Sequence, residues 1–293
     1  MKTEVYVPVI RGIDLSHHQG SPDFQRVKKA GVRFVMLKAT EGVDYVDPCF
    51  HTNIRSAAAA GLPAGAYHFL RATPLEQQAR DFLAAIKPYQ ITWPAAVDAE
   101  DAPGTRELSG LGRGALTARV LEFCARVKAA GYQPAVYSNY NWLYGAQYLD
   151  IGRIRAAGIP VWMAWYSKAT PADTDRSALC DIWQYASDGR VDGIAGNVDC
   201  NVSYRDFGAP AWTCDTSGTV EVARGAAYQA LITCRGRPQV AAGTPDIVTV
   251  LHRYDDGDKH YYYFVPIGQS GDAVGIYING GPRQFIVRIK GKT

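Results

Sequence analysis

The sequence is short of several features that would assign a function at once. No apolar run approaches the length that a bilayer span requires, so a transmembrane helix is excluded and no membrane insertion is expected. The opening MKTEVYVPVIRG has no basic head, apolar stretch or small-residue cleavage site, so no usual secretory signal is expected. With 31 basic against 28 acidic residues, the net charge of +3 does not favour nucleic acid as a partner.

Cysteine is sparse and follows no motif. The six cysteines form no C-x-x-C pair and are too few for a disulfide scaffold. Most are expected to be small buried hydrophobic residues in a protein made in the cytosol. Cys214 and Cys234, both in the last third of the chain, are the one pair considered as a disulfide.

Several catalytic motifs are also missing. The sequence contains no serine elbow, no G-K-[S/T] phosphate loop and no H-E-x-x-H, which excludes the hydrolases and nucleotide-binding proteins that depend on them. His17, His18 and His68 do not stand among cysteines, histidines or carboxylates at zinc spacing. We therefore expect neither a metal nor a cofactor.

What is present is the pattern of a folded α/β protein. Of the 293 residues, 47% are hydrophobic and 20% are charged, which is enough to build a sizeable core. Eight apolar or β-branched runs are predicted as strands, at 9–14, 34–39, 64–69, 95–100, 135–138, 161–166, 181–185 and 197–201. Helical patterns follow the first four, at about 21–31, 48–60, 74–86 and 115–130.

The organisation changes along the chain. Short spacers separate the last three strands and leave little room for crossover helices. The sequence therefore predicts an irregular TIM-like barrel over 9–208, with five β/α units and three further strands, after a tail at 1–8. Beyond the linker GAPAW at 208–212, β-like runs and the turns DDGD and NGGP predict a small all-β module over 209–293.

Polar and aromatic residues collect where the predicted barrel strands end. In a β/α barrel the carboxyl ends of the strands carry the functional residues. The residues at these ends are Asp14; Lys38 and Glu41; Tyr67 and His68; Asp98 and Glu100; Tyr137 and Asn139; Trp162, Trp165 and Tyr166; Trp183, Gln184 and Tyr185; and Asp199 and Asn201. Acids and aromatic rings are thus expected on one face.

Asp98 and Glu100 are the strongest candidates for catalysis. Residues two apart on a strand point to the same side, so both carboxyl groups should face one pocket. Like charges at close range raise one pKa, which gives one proton donor and one anion, the pair that glycoside cleavage requires. A D-x-E segment is often an ordinary strand edge, but this one follows an apolar run at the predicted barrel mouth.

The sequence resembles family 25 of the glycoside hydrolases, the Chalaropsis-type lysozymes of bacteria and their phages. The resemblance covers about 11–207 and rests on eight motifs in the family's order. They are GIDLSHHQG at 12–20, FVMLKATEG at 34–42, GAYHF at 65–69, VDAE at 97–100, VYSN at 136–139, WMAWY at 162–166, WQY at 183–185 and NVDCN at 197–201. The doubled histidine at 17–18 departs from the family pattern.

The resemblance implies a substrate and roles for individual residues. The expected substrate, and the partner, is bacterial peptidoglycan, cleaved at the β-1,4 bond between N-acetylmuramic acid and N-acetylglucosamine. Glu100 would be the general acid, and Asp98 would assist the substrate's 2-acetamido group as it attacks. Asp14 and Asp199 would complete the acidic pocket. The positions where the family lines its groove are matched by Tyr67, Tyr137, Trp165 and Gln184.

Three other functions remain open at this stage. A chitinase of the related D-x-x-D-x-D-x-E type would need acids at Trp93 and Ala96, which this chain lacks. A wall-binding protein without activity is disfavoured because all four acids are present. A metal hydrolase could use the same acids and would be sensitive to EDTA.

The C-terminal module and the cellular location are predicted less directly. Tyrosine-rich runs such as HYYYF at 260–264 suit a cell-wall-binding surface, but they equally suit a plain β core. Without a signal peptide, a wall-degrading enzyme is expected to be made in the host cytoplasm and released at lysis, as a phage endolysin is. The sequence carries no signal for an oligomeric state.

Overall fold

A computed structural model describes residues 9–208, 212–234, 237–278 and 283–291. The chain divides into two units, Met1–Gly208 and Ala209–Thr293. The predicted tail at 1–8, residues 209–211 of the linker and the NGGP turn at 279–282 lie outside the described residues.

Nine strands form one sheet in the first unit. They are β1 (Ile10–Leu15), β2 (Phe34–Glu41), β3 (Tyr45–Val46), β4 (Ala64–Phe69), β5 (Ala95–Asp98), β6 (Pro134–Asn139), β7 (Val161–Ala164), β8 (Ile182–Gly189) and β9 (Val198–Ser203). The order is β1-β9-β8-β7-β6-β5-β4-β2-β3, and β1 also pairs with β2, which closes eight strands into a barrel. Strand β9 runs antiparallel to both of its neighbours, and the other barrel pairs are parallel.

Five helices connect the barrel strands. They are α1 (Phe24–Lys29), α2 (Phe50–Ala59), α3 (Leu75–Ile86), α4 (Arg113–Ala129) and α5 (Ile151–Ala156). Asp23 caps α1 by accepting from the N–H groups of Gln25 and Arg26, so the helix starts a few residues after the predicted 21. Helix α5 was not predicted, and it completes the fifth β/α unit. The fold class expected from the sequence, five β/α units and three further strands, is confirmed.

Alternation along the strands separates two layers of the barrel interior. Phe34, Met36, Ala96, Ala135 and Ile182 belong to the cluster that fills the interior below the mouth. The residue two places beyond each of the last four points the same way and reaches the mouth. Each of these four strands therefore carries one inward-facing residue that packs in the interior and, two places later, a second inward-facing residue at the mouth.

Two glycines make this interior possible. A Cβ on Gly12 would lie within the Phe34 ring, at 2.2 Å from its atoms. A Cβ on Gly65 would approach the Met36 sulfur to 2.4 Å. Both positions therefore need glycine so that large side chains of β2 can cross the barrel floor.

The second unit contains eight strands in two four-stranded sheets. They are β10 (Trp212–Cys214), β11 (Gly218–Val222), β12 (Tyr228–Cys234), β13 (Val240–Ala242), β14 (Val248–Asp256), β15 (Lys259–Pro266), β16 (Ala273–Ile278) and β17 (Arg283–Ile289). The sheet orders are β10-β12-β15-β14 and β11-β17-β16-β13. Phe264 and Phe285 meet edge to face at 5.1 Å, so the two sheets share one apolar core. The all-β character predicted for this region is confirmed.

The disulfide considered between Cys214 and Cys234 is not formed. Strand register places Cys214 opposite Ile232 and Cys234 opposite Trp212, so the two cysteines do not face each other across the ladder. Cys214 carries a free thiol. Cys124 and Cys180 are buried, as expected of small hydrophobic residues. No helix among the described residues is long and apolar enough to span a membrane.

Candidate active site

A pocket of about 210 Å³ opens at the carboxyl ends of the barrel strands. Its walls come from β1, β2, β4, β5, β6, β7, β8 and β9, together with the loops that follow them. The lining residues are Asp14, Leu15, Ser16, His18, Gln19, Lys38, Tyr67, Phe69, Asp98, Glu100, Tyr137, Trp162, Gln184 and Asp199. Seven of the eight residues predicted for the site are among them.

Asp98 and Glu100 share this pocket although they do not lie on one strand. Strand β5 ends at Asp98, and Glu100 stands in the loop just beyond it. Burial raises the pKa of Asp98 well above its ordinary range, and the charge of Glu100 raises it further. Burial also raises the pKa of Glu100, against a hydrogen bond from Asn139 that lowers it. The sequence predicted one raised and one ordinary carboxyl group, whereas burial raises the pKa of both.

One oxygen of Asp98 is buried without a hydrogen-bond partner among the described residues. Within the described residues, the buried Oδ1 of Asp98 makes no hydrogen bond. A buried carboxylate oxygen without a donor is costly as an anion, which agrees with the raised pKa of Asp98.

Asp14 is held by two amide side chains. Gln184 Nε2 and Asn201 Nδ2 both donate to Asp14 Oδ2, each at 2.7 Å. Trp162 Nε1, which can only donate, lies 2.8 Å from Asn201 Oδ1 and so fixes which way the Asn201 amide points. The orientation of the Asp14 carboxyl group therefore follows from β7, β8 and β9 together.

Asp14 and Asp199 face each other across the β1–β9 ladder. Burial raises the pKa of Asp14 well above its ordinary range, and the negative charge of Asp199 adds to the effect. Burial raises the pKa of Asp199 as well, while its hydrogen bond with Asp14 lowers it. Two acids this close favour a shared proton, so the pocket holds less negative charge than four free carboxylates would.

Two tyrosine hydroxyls complete the network around Gln184. Tyr137 donates to Gln184 Oε1 at 2.9 Å, and Tyr166 donates to the same oxygen at 2.6 Å. The Tyr137 ring packs edge to face on Trp162 at 4.6 Å and forms part of the floor of the pocket. Tyr166 is half exposed at the rim.

Lys38 brings a positive charge to the pocket wall. Its Nζ donates to Glu41 Oε2 at 2.7 Å and lies 5.0 Å from the centre of the Phe69 ring. Arg71 binds the other oxygen of Glu41 at 2.8 Å. Lys38 lowers the pKa of Asp98 against the larger effects of burial and Glu100.

Trp165 does not line the pocket in the way the sequence predicted. The ring of Tyr140 stacks on Trp165 at 3.8 Å, and the guanidinium of Arg176 lies 3.8 Å from the Trp165 ring centre. Two groups this close to the same ring centre must cover opposite faces, so no face is left for a sugar. The neighbouring Tyr166 presents an exposed ring instead.

The histidines have separate structural environments. His17 Nδ1 lies 2.8 Å from Asp47 Oδ2, which ties the loop after β1 to the segment after β3. His18 is exposed and lines the pocket mouth. His68 is buried between Thr40 and Gln78, and burial lowers its pKa to about 4. No three His, Cys, Asp or Glu side chains within the described ranges are grouped so as to hold a metal ion.

Several residues in or beside the pocket received no role from the sequence. They are Lys38, Asn139, Trp162, Tyr166 and Asn201, together with His18 and Gln19 from the first motif. Position at a strand end was a usable signal for the first five. Lys38 bonds to Glu41, three residues further on, but the hydrogen bonds of Trp162, Tyr166 and Asn201 join residues far apart in the chain and could not be predicted from local sequence.

Comparison with known proteins agrees with this geometry. The model of the glycosyl hydrolases family 25 matches residues 13–194. The chain belongs to this family. Lysozyme M1 of Streptomyces globisporus is 34% identical over 198 residues, which cover 66% of this chain and 67% of that protein.

Two solved structures are also similar to this chain. A bacterial lysozyme from Streptomyces coelicolor is 31% identical, with a TM-score of 0.56, and the match covers 66% of this chain and 91% of that one. The CTP1L endolysin is 26% identical, also with a TM-score of 0.56, and the match covers 72% of this chain and 73% of that one.

Proposed function

We propose that this chain is a lysozyme that hydrolyses the β-1,4 bond between N-acetylmuramic acid and N-acetylglucosamine in bacterial peptidoglycan. The observation that supports this best is the pocket, in which the carboxyl groups of Asp98 and Glu100, both of raised pKa, stand together at the barrel mouth. Family membership and the lysozymes among its relatives point to the same substrate.

Glu100 is proposed as the general acid. Burial raises its pKa, which favours the protonated carboxyl group that a general acid requires. In the first step Glu100 donates this proton to the leaving glycosidic oxygen as the bond to the sugar C1 breaks. In the second step the ionised Glu100 takes a proton from the attacking water and returns to its starting state.

Asp98 is proposed to act on the substrate's 2-acetamido group. The acetamido oxygen attacks C1 as the leaving group departs, and positive charge develops on the amide. Asp98 lines the pocket, and its ionised carboxylate can accept the acetamido N–H and stabilise that charge. Because burial favours the protonated form of Asp98, this role requires that the substrate's N–H favours the ionised form.

Asp14 and Asp199 are proposed to set the charge of the pocket and to hold substrate. Tyr67, Tyr137 and Gln184 are proposed to contact the sugar, because all three line the pocket. Trp165 is omitted from the binding residues since both faces of its ring are covered.

The test is Glu100→Gln, which keeps the shape of the side chain and removes the proton. We expect cleavage of purified cell walls to fall by about 10²- to 10⁴-fold, the usual contribution of general acid–base catalysis. Glu76→Gln, an exposed change on α3, is the matched control and should retain activity. Clearing of walls by Glu100→Gln at the wild-type rate would contradict the assignment.

Fragment analysis separates the remaining alternatives. Mass spectrometry of soluble products should show muramic acid at the reducing end, whereas a chitinase would release chitobiose from chitin. The structure places Trp93 and Ala96 in the packed barrel floor, where a chitinase of the related type would need acids. Insensitivity of the activity to EDTA would argue against a metal hydrolase.

Residues 209–293 are proposed to bind the cell wall, while residues 9–208 carry out cleavage. The supporting observation is an aromatic pair on the surface of the second unit. Tyr254 is half exposed and stacks on Tyr261 at 4.3 Å, next to the exposed Leu251. Changing both tyrosines to alanine in the full chain should reduce co-sedimentation with purified walls. Unchanged co-sedimentation would contradict this proposal but would not bear on the proposal that the chain is a lysozyme.

A role in cell lysis is proposed for the whole chain. The match to an endolysin structure supports an enzyme that acts on the wall from a producing cell at lysis. On this proposal the protein accumulates in the host cytoplasm and reaches its substrate on release. Fractionation of producing cells before and after lysis would test it, and wall-bound protein before lysis would contradict it.

A further inference from the structure

The exposed large hydrophobic side chains of the barrel unit are not scattered over its surface. Within residues 9–208 there are four, and they are Tyr45, Val46, Leu111 and Tyr166. Each stands in a segment that follows a barrel strand, at the end of the barrel where the acidic pocket opens. Exposed apolar side chains gathered at one rim mark a binding surface, since most of the remaining apolar residues are packed.

Two of these residues lie on opposite sides of the mouth. Tyr45 belongs to β3, which pairs with the last two residues of β2, and Tyr166 follows β7. Around the closed barrel, β2 and β7 are separated by four steps in either direction. The line from Tyr45 to Tyr166 therefore passes across the centre of the pocket.

Both residues are restrained at the rim. The hydroxyl of Tyr166 donates to Gln184 at 2.6 Å, which restrains the ring while it remains half exposed. The backbone of Tyr45 is held by the pairing of β3 with β2, and its ring centre lies 6.0 Å from the ammonium of Lys38. A fixed aromatic face loses little entropy when it binds, and the C–H faces of sugars pack well on aromatic rings.

We propose that Tyr45 and Tyr166 are the two sugar platforms of a groove that crosses the barrel mouth, one on each side of the bond to be cleaved. The occupant is a β-1,4-linked glycan strand that extends beyond the central pocket in both directions. The inference rests on the proposed function and adds to it the direction in which the glycan strand crosses the barrel mouth. Leu111 stands after β5, two steps from both β2 and β7, and so lies off this axis.

The test compares Tyr45→Ala and Tyr166→Ala with Leu111→Ala as the off-axis control. On long soluble glycan strands, each tyrosine variant should raise KM by about five- to tenfold, the order of one aromatic contact, with little change in kcat. Leu111→Ala should match the wild type. Tyr166→Phe keeps the ring and should stay near the wild-type KM, which separates the ring from its hydrogen bond to Gln184.

A short substrate tests whether the platforms are on opposite sides. A disaccharide of N-acetylglucosamine and N-acetylmuramic acid with a chromogenic leaving group occupies only one side of the cleaved bond. At most one tyrosine variant should change its KM. The proposed direction of the glycan strand would be wrong if both tyrosine variants raised KM for the disaccharide equally. It would also be wrong if Leu111→Ala raised KM for long strands as much as the tyrosine variants do. Failure of the wild type to cleave any of these substrates would instead overturn the proposed function.

Discussion

The acids of the barrel pocket and Asp255 of the second unit stand in opposite environments. In the barrel, Asp14 and Asp98 are buried beside other acids, and burial raises the pKa of both. In the second unit, Asp255 accepts from His252, His260 and Arg237, and these hydrogen bonds hold its pKa far below the ordinary range. In the pocket, burial makes the ionised form of the acids unfavourable. In the second unit, three donors stabilise the ionised form of Asp255.

This difference separates a site that does chemistry from a site that holds a fold. A carboxyl group that can gain or lose a proton near neutral pH must be under-stabilised as an anion. A carboxylate with three donors is fixed in one charge state and can only anchor its partners. The comparison predicts that removing an acid has opposite consequences in the two units.

Among the variants that test this comparison, the largest effect is expected from Asp98→Asn in the barrel. Activity on cell walls should fall by about 10²- to 10³-fold, the usual loss when one stabilising group at a developing charge is removed. Wall-clearing rates at matched enzyme concentration would measure this. Activity close to that of the wild type would remove Asp98 from the mechanism.

The same variant should also make the fold less sensitive to pH. A carboxyl group with a raised folded-state pKa binds more protons when folded, so it makes stability fall as pH rises above about 4. Thermal unfolding should therefore show Asp98→Asn gaining stability over the wild type at pH 7 relative to pH 4. Asp188→Asn, an exposed change on β8, should show no such pH-dependent gain.

A smaller effect, and one of opposite sign, is expected from Asp255→Ala. The buried His260 would lose the acceptor of its Nδ1, and Arg237 and His252 would lose their shared partner. The unfolding temperature of the second unit should drop by several degrees, while the turnover of a short soluble glycan stays unchanged. Asp256→Ala, the exposed neighbour, is the control. If Asp255→Ala lost turnover and kept its stability, Asp255 would have a catalytic role and the contrast with the pocket acids would be wrong.

The smallest effect is a displacement of the pH profile by Lys38→Met. Lys38 lowers the pKa of Asp98 and, among smaller causes, that of Glu100, so its removal should raise both. Both limbs of the profile of kcat/KM against pH should then move to higher pH. A uniform loss of activity at every pH, without displacement, would indicate that Lys38 only packs against Phe69.

Much of the fold and of the pocket could be predicted from local patterns. Runs such as 34–39 and 64–69 alternate inward and outward side chains, and this period places Lys38 and Tyr67 at the same end of the barrel. The prediction failed where the local pattern was weak, as in α5. It also failed at Trp165, which lies at a strand end yet has both faces covered by residues from other segments.

The sequence by itself determined which residues stand at the barrel mouth, because strand ends and a period of two are properties of neighbouring residues. Only the tertiary structure decided what these residues can do. The pKa of Asp14 depends on Asp199, Gln184 and Asn201, all more than 100 positions away in the chain. The free oxygen of Asp98 likewise depends on which groups surround it. The burial and the hydrogen bonds of a side chain depend on groups that come together only when the barrel closes. A local sequence pattern therefore cannot predict them.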